Sequence, residues 1–146
     1  MHKLMKNFWK VFAMASAALW LADRAAAADL TVDVGNIKTE SGNILIAVYD
    51  KADRFLADGG MKVSMKLKAN AGGVSHTFKG LDAGTYAVSV FHDMDSDGEL
   101  NKNFMGIPQE PYGMSRGAVG RFGPPKFTDA AFELPDTGSA QKITLH

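Results

Sequence analysis

The chain has 146 residues, 16 basic and 16 acidic side chains, 46% hydrophobic residues and no cysteine. The length suits one domain of ordinary size. The absence of cysteine excludes disulfides, thiolate catalysis and thiolate metal sites, and the charge balance excludes the basic footprint of a nucleic-acid binder.

The first residues read as a targeting segment. Lys3, Lys6 and Lys10 make a basic start, residues 11–22 (VFAMASAALWLA) form an apolar run of 12, and Ala25 to Ala28 offer a small-residue cleavage site. That order predicts a secretory signal peptide over residues 1–28 and a mature domain over 29–146. The apolar run is shorter than the roughly 20 residues a bilayer span needs, so an uncleaved anchor is the weaker alternative. With no cysteine at the cut, a lipoprotein anchor is excluded. The expected location is periplasmic or secreted, with no membrane span after cleavage. Without the signal, 12 basic residues face 15 acidic ones, a formal charge of −3. Nucleic acid is therefore not an expected partner.

The mature chain reads as short strands separated by turns. Residues 30–34 (LTVDV) alternate apolar and polar, the period of a half-buried strand. Residues 43–49 (NILIAVY) form an apolar run that predicts a strand covered on both sides. Residues 50–57 (DKADRFLA) have room for one helical turn. Residues 63–68 (VSMKLK) alternate again, with Val63, Met65 and Leu67 inward. Residues 75–78 make a short strand after Gly72-Gly73, and residues 85–91 (TYAVSVF) another after the turn at 81–84. Residues 131–134 and 142–145 close the chain. Seven short strands at this spacing predict an all-β fold, a seven-stranded antiparallel β-sandwich.

Residues 93–126 break that rhythm. They contain no clear strand, yet hold six of the 15 glycines and four of the five prolines. A loop of this length in a small domain is either functional or disordered. Phe104, Met105, Ile107, Tyr112, Met114, Phe122 and Phe127 give it too many apolar anchors for a solvated coil. The expectation is one long ordered loop folded against the sandwich.

Its first part, residues 93–101 (DMDSDGELN), has the spacing of a calcium loop. Calcium takes six to eight hard oxygen ligands, and alternate residues of a tight turn can supply them. Asp93, Asp95 and Asp97 would offer carboxylates, Glu99 its main-chain carbonyl, and Asn101 its side chain or a bridging water. Gly98 would allow the reversal, and Leu100 would plug into the core. The twelfth position, where an EF-hand has a bidentate Glu, is Phe104, so a further oxygen must come from Asn103, Glu110 or Asp129. The alternatives are an unliganded acidic turn and another hard cation. An incomplete set predicts weak Ca²⁺ binding, roughly 10⁻⁴–10⁻³ M as in extracellular modules.

Five stretches, residues 86–93 (YAVSVFHD), 95–101 (DSDGELN), 103–110 (NFMGIPQE), 112–115 (YGMS) and 120–127 (GRFGPPKF), resemble the DUF2141 family, small exported bacterial proteins of unknown function. The resemblance covers most of residues 30–145. The family typically reads Y-G-F-S-N-N where this chain has YGMSRG at 112–117. The resemblance implies a β-sandwich similar to immunoglobulin-like, transthyretin-like and surface-repeat domains, and it implies no enzyme activity.

Catalytic patterns are missing: there is no G-x-S-x-G, no H-E-x-x-H and no phosphate loop. His92 and Asp93 are neighbours on a strand and point to opposite faces, so His92 reads as a packed or capping histidine. Ser115 has no base near it in sequence. Met94, Met105 and Met114 are too dispersed around His92 for a copper(I) site. The remaining candidate is a recognition surface of Tyr112, Arg116, Arg121 and Phe122, since aromatics and arginine dominate binding sites. The expected function is a non-catalytic, monomeric exported binding or accessory module, ordered by calcium, whose partner is a protein or glycan of the cell envelope. The alternatives are a small periplasmic enzyme using His92 and the acidic loop, and a structural envelope component that pairs through a bare edge strand.

Overall fold

A computed structural model of the chain describes residues 26–146. Most of the predicted signal, residues 1–25, lies outside the described residues. Its last three residues do not: after Ala26, Ala27 and Ala28 open the first strand, and Ala28 is buried in the core.

The alternating pattern at the N-terminal side becomes β1 (Ala27–Gly35), with Leu30, Val32 and Val34 buried. Next come β2 (Asn43–Tyr49), β3 (Val63–Lys68), β4 (Val74–Asp82) and β5 (Gly84–Asp93). Between β2 and β3 the expected helical turn forms as a 3₁₀ turn, Ala52–Arg54. β6 (Tyr112–Met114), β7 (Phe132–Leu134) and β8 (Ser139–Thr144) complete the set, with a one-turn helix α1 (Phe127–Ala130) before β7. Among the described residues the strands number eight, not seven, because β6 rises inside the stretch expected to be loop.

The strands form two sheets. One has the order β4-β1-β8; the other runs β3-β2-β5-β6, and β7 also pairs with β5. The expectation of a purely antiparallel fold needs correction, because β1 and β8 pair in parallel, Leu30 opposite Ser139 and Gly35 opposite Thr144. Side chains from both sheets meet in one cluster: Leu30, Val32, Phe78 and Ile143 from the first, Ile44, Ile46, Val88 and Val90 from the second. Val63, Met65 and Leu67 pack against it from β3, as their alternation required.

The second sheet is partly covered on its other side. Ala87, Met114, Ala118 and Ala130 form a smaller cluster there, joined by Phe55, Tyr112 and Phe127. Phe55 stands edge-on to both Tyr49 and Phe127. This cover reaches only the Tyr49 end of β2. Asn43, Leu45 and Ala47 remain half-exposed, so β2 is not covered on both sides along its length.

Two details fasten the sheets together. Tyr86 donates its hydroxyl to the Asp82 carbonyl at 2.7 Å, across the turn where the chain crosses from one sheet to the other. At the opposite end Tyr112 and His146 exchange backbone hydrogen bonds of 3.3 and 3.0 Å, which ties β6 to the residue beyond β8. Gly113 permits this approach: a β-carbon there would stand 2.6 Å from the Thr144 carbonyl oxygen.

Candidate functional site: an acidic elbow and the loops it roots

β5 is the central strand, and its last residue, Asp93, is fully buried. A buried carboxylate needs partners, and the following loop supplies them. Asp97 N–H donates to Asp93 Oδ1 at 3.1 Å and Gly98 N–H to Oδ2 at 3.0 Å. Asp95 Oδ1 also accepts from Asp97 N–H, Asp97 Oδ1 accepts from Glu99 N–H, and Asn101 Nδ2 donates to Asp95 Oδ2 at 2.6 Å. These bonds fold residues 93–101 into a tight elbow, with Ser96 and Gly98 at φ of 61° and 82°. The Asn43 side chain reaches over from β2 to Ser96.

The elbow gathers one carboxylate oxygen each from Asp93, Asp95 and Asp97 to within 4.8 Å of one another. Two oxygens that share a calcium ion at 2.3–2.6 Å stand at most about 5 Å apart. The triad therefore fits a common hard cation, with Asp95 and Asp97 open to solvent and Asp93 beneath them. The Asn101 amide, donating to Asp95, holds that carboxyl below the ordinary carboxylate range.

The further candidate ligands are engaged elsewhere. Asn103 Oδ1 accepts from the Met105 and Ile107 amides, and Asp129 Oδ2 caps α1 by accepting from Lys126 N–H. Glu110 is nearly buried, and its two oxygens accept from Met94 N–H at 2.8 Å and Asn101 N–H at 3.1 Å. It clamps the two ends of the elbow together. Leu100 is only half-buried and belongs to neither apolar cluster, so it does not plug the core as expected; Asp93 and Glu110 anchor the elbow instead.

Beyond the elbow, residues 101–109 form a small finger. Lys102 and Pro108 make an isolated bridge, Gln109 N–H donates to the Asn101 carbonyl, and Asn103 N–H to that of Ile107. Its tip holds Phe104, 99% exposed, with Met105 and Ile107. The long segment is ordered, but four of its seven expected anchors point outward: Phe104, Met105, Ile107 and Phe122 are exposed, while Tyr112, Met114 and Phe127 pack. Around Phe104, Met105 and Ile107 the backbone bonds of the finger hold the chain, not apolar contact.

The profile of a family described as "Uncharacterized protein conserved in bacteria (DUF2141)" matches residues 32–143. The chain belongs to the DUF2141 family. No curated protein and no solved structure matches it. In this DUF2141 member, residues 115–117 form a 3₁₀ turn whose Arg116 and Gly117 both have positive φ, 59° and 62°. Asn and Gly are the residues that tolerate this region. Gly117 suits this conformation, whereas Arg116 carries a full side chain into it.

Ser115 is fully buried. Its hydroxyl accepts from Val88 N–H at 2.9 Å and donates to the Ala130 carbonyl at 2.6 Å. His92 is also fully buried and donates from Nε2 to the Ser41 carbonyl at 2.7 Å; its Nδ1 has no partner. Both serve the fold's interior. Of the expected recognition residues, Tyr112 sits half-buried in the small cluster and Arg116 donates to the Ala131 carbonyl. Arg121 and Phe122 face solvent beside a concavity shared with Val119, Pro124 and Lys126.

Proposed function

We propose that this DUF2141 protein is an exported, non-catalytic binding or accessory module, and that a calcium ion held by the acidic elbow orders its loops. The sandwich is of the immunoglobulin-like or transthyretin-like kind, a reading supported by the Tyr86 clasp at the crossover between sheets. The observation that carries the calcium reading is the convergence of three carboxylate oxygens to within 4.8 Å of one another at the end of β5. Asp93, Asp95 and Asp97 supply charge, the Glu99 carbonyl and Asn101 further oxygen, and water the remainder. Glu110 transmits the order, since the residues it clamps begin and end the elbow from which the finger grows.

The module works in the periplasm or outside the cell as a monomer, and its partner is an envelope component met through the loops. Exposed Arg121 and Phe122 are the residues of the recognition set free for that contact. Catalysis would need His92 and Ser115 in a cleft with an arginine, and both side chains are sealed from solvent. The test is calcium titration followed by calorimetry and near-UV circular dichroism. Heat release and a spectral change that vanish in the Asp95→Asn/Asp97→Asn variant are expected; a silent titration would sink the reading.

A further inference from the structure

The chain outside its predicted signal is acidic, but the stretch from Pro111 to Thr128 contains no acidic residue and carries Arg116, Arg121 and Lys126. Arg116 is engaged with the Ala131 carbonyl. Among the described residues no carboxylate pairs with Arg121 or Lys126; the ion pair present is Lys62 with Asp50. Between those two cations the chain reads F-G-P-P. The prolines stiffen the loop, and Phe122 stands 105% exposed, with Val119 at 63%. The loop holds an aromatic ring in water between two cations; Asp129 lines the same concavity but its Oδ2 is engaged by the Lys126 N–H, and the spot keeps exposed apolar surface and a net positive charge.

We propose that the 119–126 loop docks on an anionic lipid surface. Phe122 and Val119 enter the boundary between headgroups and acyl chains, and Arg121 and Lys126 pair with lipid phosphates. The charge of the loop complements such a surface, and so does its shape. A stable protein interface covers about 800 Å² on each partner around a desolvated centre, whereas a buried aromatic side chain covers only about 150–250 Å². One protruding ring and one valine fall well short of a protein interface. A bilayer closes around an isolated side chain and needs no complementary relief. The proposal names the partner of the recognition loop, and it rests on the reading of the protein as a binding module but not on the calcium ion.

The test is co-sedimentation of the protein with vesicles of phosphatidylcholine alone and of phosphatidylcholine mixed with phosphatidylglycerol. Binding to the mixed vesicles only, weakening as salt rises, is expected. Phe122→Ala should reduce partitioning by at least about tenfold, and Arg121→Ala with Lys126→Ala by on the order of 25-fold, about fivefold per cation. All three side chains are exposed, so the variants keep the fold. Phe104→Ala, at the finger tip, leaves partitioning unchanged. Equal binding to neutral vesicles, undiminished binding of the Phe122 variant, or loss through Phe104→Ala instead would overturn the proposal. So would capture of an acidic peptide through Arg121 and Phe122 without any vesicle binding, an outcome that would leave the binding-module reading standing with a protein partner.

Discussion

Calcium should raise the melting temperature of this protein, and the size of the rise follows from the site. Three aspartates with one carbonyl and one amide make an incomplete cage, so the dissociation constant falls at roughly 10⁻⁴–10⁻³ M. At about 10 mM calcium, the folded state gains about 1.4–2.7 kcal/mol over the chelated protein. A domain of roughly 120 residues unfolds with an entropy of about 0.25 kcal/mol/K, so the midpoint rises by about 6–11 °C. Scanning calorimetry with calcium, with chelator, and with magnesium at matched ionic strength makes the measurement. Magnesium demands a tighter octahedral cage and should give the smaller shift. Asp95→Asn/Asp97→Asn sharpens the test, because both side chains are exposed. That variant weakens the acceptors that Asn101 and the Glu99 amide engage, so it should melt somewhat lower than the parent in chelator, and it should lose the response to calcium. An unmoved midpoint in the parent, or an equal shift in the variant, refutes the argument.

Glu110→Gln replaces one of two carboxylate acceptors with an amide donor facing a backbone N–H, so it should cost about 1–3 kcal/mol in urea unfolding and loosen the finger in hydrogen exchange. Tyr86→Phe should cost about 1 kcal/mol by losing the clasp to Asp82. Burial, aided by Asp82 and Asp50, raises the Tyr86 phenol above its ordinary value, so its contribution is complete below pH about 10 and is lost above it; the alkaline limb of a stability–pH curve should flatten in the variant. Gly113→Ala forces a β-carbon against Thr144 and Ile143 and should destabilise by about 1–3 kcal/mol, read by thermal melting. Arg116→Asn relieves a strained φ but gives up the exposed bond to the Ala131 carbonyl, so it should change stability by less than about 0.5 kcal/mol in the same assay, whereas Arg116→Val should destabilise.

Much of this molecule was legible in the chain because its core obeys period two. Leu30, Val32 and Val34 alternate inward, and so do Val63, Met65 and Leu67. β6 was hidden because three residues around a central glycine carry no period; it exists through pairing with Phe91, Val90 and Ser89 and through the bonds of Tyr112 to His146. The parallel pairing of β1 and β8 was hidden for a related reason, since partners more than 100 residues apart leave no local trace. The acidic elbow could be read from spacing alone, because alternate aspartates before a glycine encode their own turn. Glu110 appeared in the sequence as a candidate ligand, and only the fold shows that backbone amides claim both its oxygens. Composition also misjudged Phe104 and Phe122: a run of apolar residues signals order, but not which of them point inward.

The antiparallel pairing of β1 with β4 decides where the first strand starts relative to the elbow. β1 begins beside the Asp82–Gly84 corner, where β5 also begins, and β5 then runs its full length of ten residues before reaching the elbow. Ala27 therefore lies at the pole remote from the aspartates and the finger, and a probe attached there would leave both unobstructed.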